Sequence, residues 1–406
     1  MRTRLFTVLG VVGVIAGAAV FVTLAWVDAA GQAATGSTAT STARTGTAPR
    51  TPWGEPDLQG IWTNEFDTPL QRSVRHGTRE FFTEEERAEL DQERAALLGR
   101  DRRVERGTEL DVAGAYSSVF MSMKRTGLRT SLIVDPPDGR IPPTTAEAQA
   151  RAAADRGFRI ALLQSTSTCK NGSPACAGGT YDPAPSPRRG EALSRYNTAR
   201  MNRHDGPEDG SLSDRCLSGA IPEFGTAYGG SFRRIVQTPG GVTLFYDVGQ
   251  GQGFQRNVVM NGSPHLPPHV RQWFGDSRGR WEGDTLVIDV TNFSPKFDFM
   301  GSRDNLHLVE RWTRTGPATL EYAVTIDDPT VWTRPWTVKE EFAKQNDKEN
   351  RIYYEPRCHE GNYGFPSLLL AARLADKAYA ERRGPHPALM DNATDFVGVE
   401  DNPFGR

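Results

Sequence analysis

From Trp273 to Cys358 the chain is a succession of short strand-like runs, each ended by a turn signal. The clearest reads Asp276-Ser277-Arg278-Gly279-Arg280-Trp281-Glu282-Gly283-Asp284-Thr285-Leu286-Val287-Ile288-Asp289-Val290. A polar turn leads to a short aromatic strand, a second glycine turn follows, and then a β-branched strand. Runs this short leave no room for long helices. They predict a mainly β fold, an antiparallel meander that curves into a sheet or closes as a barrel. Strands are expected at 233–238, 242–248, 255–261, 270–274, 285–293, 306–313, 319–327, 336–343 and 351–358. The alternation is sharpest at Leu320, Tyr322, Val324 and Ile326, with Glu321, Thr325 and Asp327 opposite, so one face is dry and the other wet.

Ahead of these strands the chain changes character. Gly60-Ile61-Trp62 is a first strand candidate that could close the sheet. Thr83 with Glu86 three residues on is a capping box that opens a helix. Leu132-Ile133-Val134-Asp135-Pro136-Pro137-Asp138-Gly139 is a strand and a turn. Thr144 or Thr145 caps a second helix over about 146–163, and a last helix is expected at 367–382. The resulting division is a helical and loop-rich part at 52–213, a β-rich domain with its C-terminal helix at 214–383, and a tail at 384–406.

The N-terminus reads as an export signal. Arg2 and Arg4 precede an uncharged run at 5–26, and small residues follow it up to Ala33. A cleaved signal peptide over 1–33 and a retained membrane anchor both fit a run of that length. Either sends the body out to the periplasm or beyond, and the anchor would be the chain's one contact with a membrane. Residues 34–51 hold Thr, Ser, Ala and Gly with almost nothing to bury, and are expected to be a disordered linker. Four cysteines suit an oxidising compartment. Cys169 and Cys176, seven apart, suggest a local disulfide, which leaves Cys216 and Cys358 as a long-range pair. Formal net charge is -2 with no basic block, which argues against nucleic acid as a partner.

Several motifs together resemble a large set of exported bacterial proteins of unestablished function. They are Pro56-Asp57-Leu58-Gln59-Gly60-Ile61-Trp62, the run from Ser131 to Pro143, Asp214-Arg215-Cys216-Leu217, Pro264-His265-Leu266-Pro267, the run from Gly275 to Asp284, Asn305-Leu306-His307 and Cys358-His359-Glu360-Gly361-Asn362-Tyr363-Gly364. The resemblance spans about 52–373 and departs from the usual pattern between Gly249 and Met260. It implies no activity. A looser resemblance, to lipocalin-like barrels, rests on Gly60-Ile61-Trp62 and the meander, and implies that Trp62 plugs one barrel end.

Candidate chemistry gathers in two polar stretches. On a strand from Leu306, His307 and Arg311 share one face, while Glu310 lies on the other with Leu308 and Trp312. A carboxylate turned inward beside Trp312 needs a partner. Arg303, Asn305 and Trp312 are ligand-binding candidates there, and His307 with Glu310 are acid–base candidates. In the second stretch His359 and Glu360 are the catalytic candidates and Tyr363 a binding one. Cys358 and His359 are adjacent, so on a strand they point apart and do not make a nucleophile–base pair. His265 and His269 flank two prolines and lack an HExxH pattern, so no metal site is assigned. No nucleotide or phosphate loop is visible, and no cofactor is expected. Three readings stay open: a barrel that binds a small apolar or aromatic molecule, a cofactor-free lyase, isomerase or hydrolase acting on such a molecule, and a structural envelope protein. Oligomeric state is open as well.

Overall fold

Alternating side chains decide which face each strand turns inward, and a sheet becomes a barrel when its last strand finds its first. In the computed structural model, residues 49–64, 66–98, 124–217, 221–224, 232–247, 253–345 and 363–391 are described. The strands are β1 Gly60–Asn64, β2 Ile133–Asp135, β3 Phe232–Thr238, β4 Gly241–Asp247, β5 Gly253–Val259, β6 Asp276–Glu282, β7 Thr285–Thr291, β8 His307–Arg314, β9 Thr319–Asp327 and β10 Trp336–Lys344. Their order is β1-β3-β4-β5-β6-β7-β8-β9-β10, and β10 pairs back onto β1. Nine strands therefore close a barrel. One edge of β10 serves two partners: Thr337 and Val338 pair with β2, and Phe342 to Lys344 with β1.

The barrel is mixed, which corrects the expectation of a purely antiparallel meander. β5 and β6 meet in parallel, through Val259 and Arg278. The strand expected at 270–274 is replaced by turns and a single bridge from Gln272 to Phe293. Pro264, Pro267 and Pro268 lie in the connection after β5, and a proline has no N–H to give a ladder. The chain swings out and re-enters at Asp276, so residues that read as a polar turn are the start of β6. Gly279 makes this possible: a Cβ there would run into Met260 Sδ and lie 2.6 Å from Val258 Cγ1.

Leu244, Leu286, Ile288, Val290, Leu308, Leu320, Val324 and Ile326 face the interior, all fully buried. Trp62 closes one end. Its indole donates to Leu58 O at 2.8 Å, with the Arg314 guanidinium 5.6 Å and the Lys344 amine 5.8 Å from its ring. Gly60 has φ +139, a backbone conformation that glycine adopts without the strain another residue would carry. At the other end Ile221 and Phe224 are buried, and Phe224 packs edge-on against Phe299 and Trp336.

Outside the barrel lie α1 Glu84–Leu98, α2 Ala146–Leu163, α3 Ser167–Lys170 and α4 Gly364–Ala380. The capping box forms: Glu86 N donates to Thr83 Oγ1 at 3.2 Å and Thr83 N to Glu86 Oε2 at 2.9 Å. Thr145 caps α2 by accepting from Ala148 N. Cys169 and Cys176 form the expected disulfide, which fits an oxidising compartment. Cys216 is disulfide-bonded too; Cys358, the partner expected for it, lies outside the described residues. So do the apolar run at 5–26, most of the linker and the strand at 351–358. No helix among the described residues is long and apolar enough to cross a membrane.

Candidate functional site

Inward-facing positions of six strands carry polar groups that meet inside the barrel. Arg233 on β3 faces in with Ile235, Tyr246 on β4 with Leu244, and Arg256 on β5 with Val258. Glu310 on β8, Tyr322 on β9 and Glu340 on β10 come from the opposite wall. β5 and β8 are separated in the wall by β6 and β7, yet Arg256 Nη2 donates to Glu310 Oε2 at 2.6 Å. The contact therefore crosses the lumen. Arg256 Nη2 also reaches Tyr246 Oη at 2.8 Å, and Tyr322 Oη donates to Glu310 Oε1 at 2.8 Å.

Electrostatics bind this network tightly. Burial works against the Arg256 charge, but Glu310 and the two tyrosines outweigh it and hold its pKa above the usual guanidinium range. Burial, then the Glu310 carboxylate, pushes the Tyr322 hydroxyl well up, so it stays protonated and donates. Burial does the same to Tyr246. Arg233 donates through Nη2 to Glu223 O at 2.8 Å, with the Glu223 carboxylate 3.1 Å away. Its guanidinium lies 5.1 Å from the Tyr246 ring and 5.2 Å from that of Phe342.

Several donors in this interior remain unspent. Arg233 Nε and Nη1, Arg256 Nε and Nη1, Trp312 Nε1 and Trp336 Nε1 are all buried without a hydrogen-bond partner. Every one is an N–H group that can only donate. A buried donor without an acceptor costs on the order of 1–3 kcal/mol, which is why such groups are rare and worth explaining.

The structure separates the residues singled out from the sequence. Glu310 and Trp312 are in the lumen and fully buried. His307 is on the outer face, as its register requires, and is not brought together with Glu310. Its Nε2 faces Asp289 Oδ2 at 3.2 Å, and this carboxylate raises its pKa. Arg303 is buried away from the lumen, where it pairs with Asp298 at 3.0 Å and donates to the carbonyls of Tyr196 and Pro295. Asn305 is exposed in the turn before β8, and Tyr363 is 93% exposed ahead of α4. His359 and Glu360 lie outside the described residues. Arg233, Arg256 and Tyr246 were not singled out. The available signal was parity: in Phe254-Gln255-Arg256-Asn257-Val258 an arginine occupies an apolar position.

His265 also finds partners on the outer face. Its Nδ1 lies 2.9 Å from Asp276 Oδ2 and its Nε2 2.8 Å from Asp289 Oδ1, so one ring bridges β6 and β7. Arg278 Nε and Nη2 clamp the same Asp276 at 2.8 and 2.9 Å, and Arg278 Nη1 reaches Ser263 Oγ at 2.6 Å. Asn292 Nδ2 donates to the carbonyls of Leu266, Pro267 and Val270. These bonds pin the connection after β5 against the barrel wall. Among the described residues no group of three or more His, Cys, Asp and Glu is placed to hold a metal ion.

No family model matches the chain, and no curated protein does. Solved structures that match include a secretary abundant heat soluble (SAHS) protein from Ramazzottius varieornatus. It is 15% identical with a TM-score of 0.20, over 29% of this chain and 75% of that one. The architecture of this chain is read from its own strand pairing.

Proposed function

We propose that this chain is an exported barrel protein whose lumen holds a small, largely apolar or aromatic ligand bearing a carbonyl or carboxylate oxygen. The observation that carries this reading is the set of unspent donors. Glu310 is already used by Arg256 and Tyr322, so two buried guanidinium groups and two indoles still have N–H groups to give. A ligand oxygen beside Arg256 would take some of them, and the rings of Tyr246, Trp312, Tyr322 and Phe342 would flank its apolar part. With both barrel ends covered, bound ligand is expected to exchange slowly.

Native mass spectrometry of the full chain purified from its own host tests the reading. The expected result is an added mass of a few hundred daltons that survives gentle desolvation and is released on unfolding. The double variant Arg256→Met, Glu310→Leu keeps the volume roughly filled and should lose that mass. A wild-type chain with no added mass, and no thermal shift with any carbonyl or carboxylate compound tried, would favour a purely structural role.

A further inference from the structure

We propose that a second ligand site lies outside the barrel, in a cleft between the segment 189–214 and α4, and that it takes a small monocarboxylate with an apolar tail. The cleft encloses about 310 Å³. That is near the lower end of known small-molecule sites.

The two walls differ in chemistry. Arg189, Arg200 and His204 line one side, while Leu368, Ala372 and Ala375 of α4 line the other together with Pro387 and Met390. α4 is fixed in place by the Phe365 ring packed against Gly210 and by Arg373, which donates to the carbonyls of His204 at 2.7 Å and Asp205 at 3.2 Å. The cleft is thus a built gap between two anchored elements.

Its four arginines and four aspartates balance in number, but they are not paired one to one. Arg200 pairs with Asp214, Arg373 with Asp376 at 3.3 Å, and Arg203 with Asp209 at 2.9 Å. Arg189 differs. It is partly buried and donates to Asn202 O at 2.7 Å, and it forms no ion pair with a carboxylate among the described residues. Asp205, the remaining acid of this wall, is 68% exposed and approaches Arg203 instead, at 3.9 Å. Burial pulls the Arg189 pKa below the ordinary guanidinium value. An arginine keeps its proton in proteins, and here burial weakens the solvation of that charge while the Asp205, Asp209 and Asp376 carboxylates offset the loss in part without a direct ion pair. Burial likewise lowers the pKa of His204, leaving a neutral ring that can donate one hydrogen bond to a carboxylate. A carboxylate placed on Arg189 puts its tail against Leu368, Ala372 and Ala375.

Titration calorimetry on the full chain tests this with 4-phenylbutanoate, decanoate and the uncharged 4-phenylbutanamide. The expected result is that at least one carboxylate binds, and that the amide binds at least tenfold more weakly than its acid. Tighter decanoate would assign an acyl-chain source and tighter 4-phenylbutanoate an aromatic one; both support the site. Ala375→Trp fills the tail side and should abolish binding, and Arg189→Met should weaken it at least tenfold. If Arg189→Met unfolds, the acid–amide contrast and Ala375→Trp still decide. Equal affinity for acid and amide, no binding of either carboxylate, or full binding in a folded Ala375→Trp variant would each overturn the proposal. Carboxylate binding that survives Ala375→Trp would place the ligand elsewhere, and leaves the lumen reading to its own experiment.

Discussion

Glu310 has no exposed surface and accepts from both Arg256 and Tyr322, so its charge is held wholly by groups inside the barrel. Removing one partner of such a pair leaves the other buried and unpaired, at about 3–5 kcal/mol. Glu310→Gln is therefore expected to lose about that much stability in urea unfolding. Replacing both partners by apolar groups is often neutral, so Arg256→Met with Glu310→Leu should recover most of it. A double variant no more stable than Glu310→Gln would mean that the network contributes more than the charge pair. The inward direction of Glu310 was legible from parity on β8, as was the outward one of His307. The identity of its partner was not, because Arg256 is 54 residues away and meets it only across the lumen.

The connection after β5 shows how an element is held by chemistry rather than by pairing. His307 and Asp289 belong to the clasp that fixes it, and their pKa values move in opposite directions. The Asp289 carboxylate raises that of His307, and the hydrogen bond from His307 lowers that of Asp289. A raised histidine contributes stability that is fully present below its unfolded value of about 6.5 and is lost as pH rises through the folded value. A lowered aspartate contributes above its unfolded value of about 3.9, and loses this as pH falls through the folded value. Both contributions are present from about pH 4 to about pH 6.5. His307→Gln is expected to lower the thermal midpoint most in that window at low salt, with the gap to wild type closing as pH rises through the raised folded value of His307. A gap that stays constant across the range would remove the His307–Asp289 pair as its cause. Gly279→Ala should cost about 1–3 kcal/mol, because its Cβ would overlap Met260 and Val258.

At the scale of the whole molecule the apolar side chains of the described residues form more than one buried cluster. Cys169 and Cys176 pack with Ile160 and Leu163 in a cluster distinct from the barrel core. Cys169→Ser with Cys176→Ser is expected to raise hydrogen exchange near that bridge while β7, β8 and β9 keep their protection. Loss of protection in those strands would show that the two parts unfold together. The sequence by itself determined the mainly β class, most strand positions, the capped helices and the local disulfide. Each of these follows from side-chain alternation, turn residues or close spacing, which act over a few residues. Only the tertiary structure decided that β10 closes on β1 and that β5 meets β6 in parallel. It alone brought Arg233, Arg256, Glu310 and the two tyrosines into one enclosed network. Those outcomes depend on groups far apart in the chain, whose meeting is set by strand register and by the shape of a closed sheet.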